Sequence, residues 1–237
     1  MKALLQHLYS KYSMKTDLLQ LEIALKEARI RTQKAWKTIN FKIPESKEPY
    51  QKSADEELRL EREIAALKGE EYAIPADFPV LWDVGAPLPQ LLINDYKTFL
   101  LFYRSVPDPQ WDGTTCRVVD PTSPEEAPLV LVEFLRCSSA KLGSPNDEVL
   151  SGHPLEGRGL KAYSAQQVIN SKWIKEVQTI NSVHTQYRED RWKTIKHYVF
   201  WFHDTTFECL AESFTVELHD KSMPELLKDT CLRLNSH

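Results

Sequence analysis

The sequence predicts an α+β fold: an antiparallel sheet, formed by a meander plus a C-terminal hairpin, with packed helices and a helical arm in front. Two observations support this class. Residues 1–40 contain no Pro or Gly and are rich in Leu, Ala, Lys and Glu, which favour helix. The later residues form short apolar runs separated by Pro- and Gly-containing segments, which is typical of strands and turns. We therefore divide the chain into a helical arm, residues 1–70, and an α+β body, residues 71–237.

The first helix of the arm carries a seam of apolar residues with the alternating three- and four-residue spacing of a coiled coil. The seam consists of Leu18, Leu21, Leu25, Ala28, Thr32, Ala35 and Ile39. A second apolar stripe, made of Leu19, Ile23 and Ile30, lies on roughly the opposite side. We predict a linker at 41–53 and a second helix at 54–70. The arm is therefore either a helical hairpin or a coiled coil.

The body begins with a segment whose prolines exclude a regular helix. Three strands are then predicted, at Thr98–Arg104, Thr114–Val119 and Leu129–Arg136, and an antiparallel meander joins them most simply. A loop follows at 143–160. Ser164 with Gln167 predicts a capped helix that runs to about Val183, and Ser222 with Glu225 predicts a cap for the last helix, from Met223 to about Leu234.

The C-terminal hairpin joins a strand at His197–Phe202 to a strand at Phe207–Phe214. Placing its turn at Asp204-Thr205 pairs Phe202 with Phe207 and puts an apolar face in the core. The other face mixes polar, charged and apolar side chains: Trp201, Glu208, Val199, Leu210, His197, Glu212 and His203. Such a face is either the floor of a binding cleft or a partly solvated sheet face.

Two further features could carry chemistry. Glu133 interrupts an otherwise apolar strand, so it is either a functional carboxylate with a raised pKa or a member of a structural ion pair. The loop at 143–160 concentrates Asn146, Asp147, Glu148, His153 and Arg158 among residues that allow tight turns. These residues either bind a ligand or form an Asx-turn and a capped helix start.

Four blocks of the body resemble blocks of a group of bacterial proteins: PNDEVLSGHPLEGRGL, INSKWI, NSVH and HYVFWFHDTTFECLAESF. The resemblance covers the chain after about residue 80 and leaves out the arm. The resemblance implies no activity and no site residues for this chain.

Composition and charge indicate which partners to expect. The 237 residues have a net charge of −4, which gives no reason to expect nucleic acid as a partner. No apolar run approaches the ~18 residues of a membrane span, and no signal peptide is visible. We expect a cytoplasmic protein whose four cysteines, Cys116, Cys137, Cys209 and Cys231, are reduced packing residues. Because residues 1–43 are basic and the remainder acidic, the arm could meet its own body or an acidic partner.

The sequence lacks the common catalytic motifs: it has no G-x-S-x-G elbow, no P-loop and no HExxH or HxxxH pair. We therefore expect no cofactor and no metal, although His153, His184 and His203 could in principle meet. The leading hypothesis is a binding or adaptor protein with a ligand or partner cleft. Its arm would contact a protein partner or a second copy through Leu18, Leu21, Leu25 and Ile39. The alternative is a hydrolase-like enzyme with a His/carboxylate site, possibly metal-assisted, built from His203, Glu208, Glu133 and Asp147.

Overall fold

A computed structural model describes residues 2–106 and 119–236, with side chains from residue 16 onward. It contains four α-helices and nine strands in these ranges, so the predicted α+β class is confirmed. The predicted strand Thr114–Val119 lies, apart from Val119, outside the described residues. The chain forms two compact units: Met1–Ala73 with Leu155–Leu160, and Ile74–Pro154 with Lys161–His237.

The first unit is built on an antiparallel pair of helices, α1 (Lys2–Trp36) and α2 (Glu48–Lys68). Ion pairs join Glu22 of α1 to Lys68 of α2 and Arg31 of α1 to Glu56 of α2, which is the order that an antiparallel pair requires. The linker prediction is wrong from residue 48 onward, because α2 already begins there, with a proline in its first turn, where the missing N–H costs no hydrogen bond. Gly69 ends the helix in the left-handed conformation that favours glycine.

The predicted seam faces α2 of the same chain. Leu25 and Ala28 are buried against Leu60 and Ile64, and Leu18, Leu21 and Ala24 pack partly against this cluster. Ile39 follows the end of α1 and is half-buried. The second stripe remains solvent-exposed, by 55 % at Leu19, 48 % at Ile23 and 46 % at Ile30.

The chain forms two sheets, and nearly all of their residues belong to the second unit. The four-stranded sheet has the order β2-β3-β4-β9, all antiparallel: β2 (Gln90–Ile93), β3 (Thr98–Tyr103), β4 (Ala127–Leu135) and β9 (Ser213–Lys221). The five-stranded sheet has the order β1-β6-β7-β8-β5: β1 (Tyr72–Pro75), β6 (Ala165–Ile169), β7 (Lys196–Trp201), β8 (Thr206–Ala211) and β5 (Ser139–Gly143). Only Glu212 separates β8 from β9, so the chain passes from one sheet to the other within one residue.

The inner faces of the two sheets form an aromatic core. Its buried members come from strands of both sheets and from the segments beside them: Trp82, Phe102, Phe134, Phe200, Phe202 and Phe207. The rings of Phe134 and Phe207 lie 5.0 Å apart, which is within the range of favourable aromatic pairs. Helix α4 (Met223–Asn235) covers the outer face of the four-stranded sheet through Met223 and Leu226. Its predicted cap is confirmed, because Ser222 Oγ accepts a hydrogen bond from the N–H of Glu225.

Two local predictions are wrong. Residues 165–169 form β6, because the segment pairs with β7 and tertiary pairing overrides its local capping signal. The helix, α3 (Lys172–Asn181), begins later than predicted, and Ser171 caps its start. The hairpin register is displaced by two residues, so Phe200 lies opposite Phe207. A two-residue shift keeps every side chain on its predicted face.

Candidate functional site

Three polar side chains meet at the end of the β7–β8 hairpin and form what we call the Asp147 cluster: Asp147, Tyr163 and His203. The Tyr163 hydroxyl donates a hydrogen bond to Oδ2 of Asp147. Nδ1 of His203 lies 3.1 Å from that oxygen and 3.1 Å from the hydroxyl. The backbone N–H of Asp147 also donates to the carbonyl oxygen of His203, at 3.0 Å. These contacts tie the 3₁₀ helix at Asp147–Gly152 to the hairpin loop.

The cluster shifts the pKa values of its members. The hydrogen bond from Tyr163 is the main cause that lowers the pKa of Asp147, and the bond from His203 adds to it. Through the same contact, Asp147 raises the pKa of Tyr163 to about 12. Hydrogen bonding to Asp147 also raises the pKa of His203. Tyr163 has a φ of +56°, which is rare for a bulky residue, so the cluster includes a strained backbone position.

The outer face of the hairpin beside this cluster is covered. Trp201 is fully buried, and the ring of His153 stands edge-on to it at 5.3 Å. The loop therefore lies over the sheet, held by Asp147 and His153. A ligand reaches Trp201 only if that loop moves.

Glu208 lies on the same face but in a different polar group. Its carboxylate is 2.9 Å from Nε2 of His197 and 2.8 Å from Nζ of Lys141. Burial opposes its ionisation, but these two bonds prevail and lower its pKa. Oγ of Ser171 lies 2.9 Å from Nδ1 of His197, which completes a Ser-His-Glu row. Because Ser171 and His197 are both buried, the row is placed to hold α3 on the sheet rather than to meet a substrate.

Glu133 does not join either group. It shares the outer face of the four-stranded sheet with Leu131 and is 3.1 Å from Arg233 of α4. Glu133 and Glu208 therefore lie on outer faces of different sheets and cannot share one site.

The remaining predicted ligand-binding residues also separate. Arg158 belongs to the first unit, where it pairs with Glu70 at 2.7 Å. Asn146 precedes the 3₁₀ helix without forming a side-chain cap, and Glu148 is exposed. Of the predicted site residues, the structure thus brings together Asp147 with His203, and His153 with Trp201.

A cleft of about 540 Å³ in the second unit was not predicted from the sequence. Three arginines, one histidine and two aromatic residues line it together with polar and acidic side chains: Arg136, Arg188, Arg191, His184, Tyr187, Trp192, Asn181, Gln186 and Glu212. Its volume falls within the range of small-molecule sites. We call it the arginine cleft.

The arginines of this cleft differ in their partners. Arg136 pairs with Glu212, whose other oxygen accepts from Thr194 at 2.9 Å. Arg188 forms two hydrogen bonds to Asp190, at 2.6 and 3.2 Å. Arg191 forms no ion pair with any side chain in the ranges that the structure describes. Positive charge therefore exceeds negative charge in the lining.

One sequence signal could have indicated the arginine cleft. Residues 184–195 contain two arginines, two aromatic residues and a histidine, a combination typical of anion recognition. Arg136 and Glu212 could not be added to that set, because they are 76 residues apart and only the fold brings them together.

Of the described cysteines, Cys209 is buried in the core as predicted, whereas Cys231 is exposed and is not a packing residue. Cys137 is half-buried and donates to the carbonyl oxygen of Ser139 at 3.3 Å. A hydrogen bond from Cys209 is the main cause that lowers the pKa of Cys137 to about 7. Burial raises the pKa of Cys209 well above its usual value.

Among the described side chains, no group of three or more His, Cys, Asp or Glu residues could hold a metal ion. No helix in the described ranges is long and apolar enough to cross a membrane. Comparison with family models, curated proteins and solved structures finds no match to this chain.

Proposed function

We propose that this chain is a binding protein that holds a small anionic ligand in the arginine cleft. The observation that carries the proposal is the excess of guanidinium groups in a concave site of about 540 Å³. Guanidinium groups bind carboxylates and phosphates through paired hydrogen bonds, and Tyr187 and Trp192 offer flat surfaces beside them. Arg191, which has no ion-pair partner among the described side chains, is the group most ready to bind an anion.

Calorimetric titration with pyrophosphate and with phenyl phosphate tests this function. We expect binding that weakens as salt rises, and Arg191→Gln should weaken it about 10- to 100-fold, the range of one charge-assisted hydrogen bond. Arg59→Gln is the matched control, because Arg59 is an exposed arginine of α2 in the other unit. Failure of both probes to bind, or equal weakening by both substitutions, contradicts the proposal.

Assembly through the arm is the second part of the proposed function. Because Leu18, Leu21 and Leu25 already pack towards α2, a second copy or partner would use the exposed stripe of Leu19 and Ile23 instead. Light scattering should then show a lower mass for Ile23→Gln than for the parent chain. An unchanged mass rules out this contact.

A hydrolase-like function is the alternative, and one observation favours it. His203 is held by an ionised carboxylate and has a side chain that is 41 % exposed, as an accessible general base requires. Hydrolysis of p-nitrophenyl acetate and p-nitrophenyl phosphate, with and without added divalent metal, measures this activity. A loss of about 10²- to 10⁴-fold in His203→Gln supports it, and no hydrolysis by the parent chain excludes these two ester classes.

A further inference from the structure

The end of α1 and the turn that joins it to α2 present large apolar side chains to solvent. Trp36 is 53 % exposed, Phe41 is 69 % exposed and Ile43 is 48 % exposed. We call these three residues the apolar tip. Scattered exposed apolar residues are ordinary, but three large ones within one short segment of the chain form a patch that needs an explanation.

The apolar tip is ordered by specific contacts. The ring of Trp36 lies 6.1 Å from that of Phe41 and 5.3 Å from that of Tyr50. Ser46 Oγ accepts from the N–H of Asn40 at 2.9 Å and donates to its carbonyl oxygen at 2.7 Å. The turn therefore holds the rings together at the surface instead of folding them into the helix pair.

Basic residues flank the apolar tip in the sequence. Lys34, Lys37, Lys42 and Lys47 are all exposed. Within the described part of the chain, none of the four forms an ion pair with a carboxylate. Nζ of Lys47 lies 5.7 Å from the centre of the Phe41 ring. The acidic residues Glu45 and Glu48 fall in the same stretch and leave it with a net positive charge.

We propose that the apolar tip and its lysines attach this protein to an anionic membrane surface. Aromatic rings partition into the headgroup region, and lysines beside them are attracted to acidic lipids. Binding of a protein surface to a bilayer strengthens with the apolar area that it buries and with its attraction to anionic lipids, and this segment offers both. An acidic polypeptide would satisfy the lysines but would leave the apolar tip in water, so the lipid surface fits the whole patch better.

Flotation of the full chain with lipid vesicles tests the attachment. We expect binding to vesicles of phosphatidylserine mixed with phosphatidylcholine and little binding to phosphatidylcholine alone. Replacing Lys37 and Lys42 together by Gln should weaken binding roughly 20- to 30-fold, about fivefold for each lysine. Phe41→Ser should weaken it about tenfold or more, since the ring no longer enters the headgroup region.

Matched controls use equally exposed residues far from the turn in sequence. Tyr96→Ser removes an aromatic ring that is 82 % exposed, and the pair Lys175→Gln with Lys228→Gln removes two exposed lysines. Neither control should change vesicle binding, and circular dichroism should show parent-like helix content in every variant. Equal loss in controls and tip variants would mean that net charge alone drives binding, which contradicts the proposal.

Tryptophan fluorescence distinguishes the lipid from an acidic polypeptide. Vesicles should shift the emission to shorter wavelength, and Trp36→Phe should remove that shift. Binding to poly-glutamate that matches the binding to vesicles and is insensitive to Phe41→Ser would identify an acidic partner and overturn the proposal. No binding to either vesicle type would also overturn it.

Discussion

The carboxylate of Asp147 and the imidazole of His203 are joined across a distance of 3.1 Å, and this contact fastens a loop over the β7–β8 hairpin. Tyr163 shares the same carboxylate oxygen. The loop position therefore depends on the charges of a carboxylate whose pKa is lowered and an imidazole whose pKa is raised.

The first prediction concerns pH. The raised pKa of His203 gives stability that is complete below its usual 6.5 and disappears as the pH rises through the raised value. The lowered pKa of Asp147 gives stability that is complete above its usual 3.8 and disappears as the pH falls through the lowered value. Asp147→Asn should therefore lower the urea concentration at the midpoint of unfolding most between pH 3.8 and pH 6.5. The reduction should shrink at higher pH.

Proton NMR provides an independent measure of the same contact. In Asp147→Asn the pKa of His203 should fall towards its usual value, because the hydrogen bond to the carboxylate is the main cause of the raised pKa. An unchanged His203 titration would show that the two groups are not in contact in solution.

The second prediction concerns the aromatic core. Phe200 is fully buried and contacts the rings of Phe134, Phe207 and Trp82. Phe200→Ala should lower the free energy of unfolding by roughly 3–5 kcal/mol, the usual cost of emptying a buried aromatic site. Tyr96→Ala, at an exposed ring, should stay within about 0.5 kcal/mol. A loss under about 1 kcal/mol for Phe200 would contradict its place in the core.

The third prediction concerns thiol reactivity. Alkylation of Cys137 by iodoacetamide, followed by peptide mass mapping, should accelerate with pH through a midpoint of about 7. Cys209→Ala should raise that midpoint, since the hydrogen bond from Cys209 is the main cause of the lowered pKa. A midpoint that does not move in Cys209→Ala would disprove this explanation.

The fourth prediction concerns a close backbone approach in the first unit. Gly159 has a φ of +101°, and a Cβ there would overlap the carbonyl oxygen of Ala73 and the guanidinium of Arg62. Gly159→Ala should lower the free energy of unfolding by at least about 1–3 kcal/mol, the cost of backbone strain, and the overlap adds to this loss. Gly152→Ala is the control, because a Cβ there meets no atom within 4 Å. Equal thermal stability of the two variants would contradict the overlap.

The fifth prediction concerns Glu208. Glu208→Gln keeps the side-chain shape but removes the charge that His197 and Lys141 bind. We expect a loss of roughly 1–3 kcal/mol in unfolding free energy, as for hydrogen bonds to a charged group. Glu148→Gln, at an exposed carboxylate, should have little effect. A stable Glu208→Gln would mean that the Ser-His-Glu row does not hold α3.

Period-two patterns predicted the hairpin well because they survive an error in register. Phe200 and Phe207 were placed on the core face although their partners were misassigned by two residues. The capping signal at Ser164 failed for a different reason. Ser171 carries the real cap seven residues later, and local signals do not include the strand pairing that decides between the two sites.

The candidate site was less predictable than the fold. The contact of Asp147 with His203 joins a loop and a turn that both stood out in the sequence. Glu133 and Glu208 also stood out, but no strand pattern tells which sheet a strand joins, and they belong to different sheets. The arginine cleft depends on Arg136 and Glu212, whose pairing arises only from the three-dimensional path of the chain.

The single-residue step at Glu212 has a consequence for synthesis on the ribosome. Strands β7 and β8 occupy the middle of the five-stranded sheet, and β9 follows them directly into the other sheet. All three follow β1 to β6 along the chain. Until they emerge, β4 lacks a neighbour on one side, and β5 and β6 lack the strands that separate them. The nascent body therefore completes its two sheets only after β9 has left the ribosome, and we expect chaperones to meet it before then.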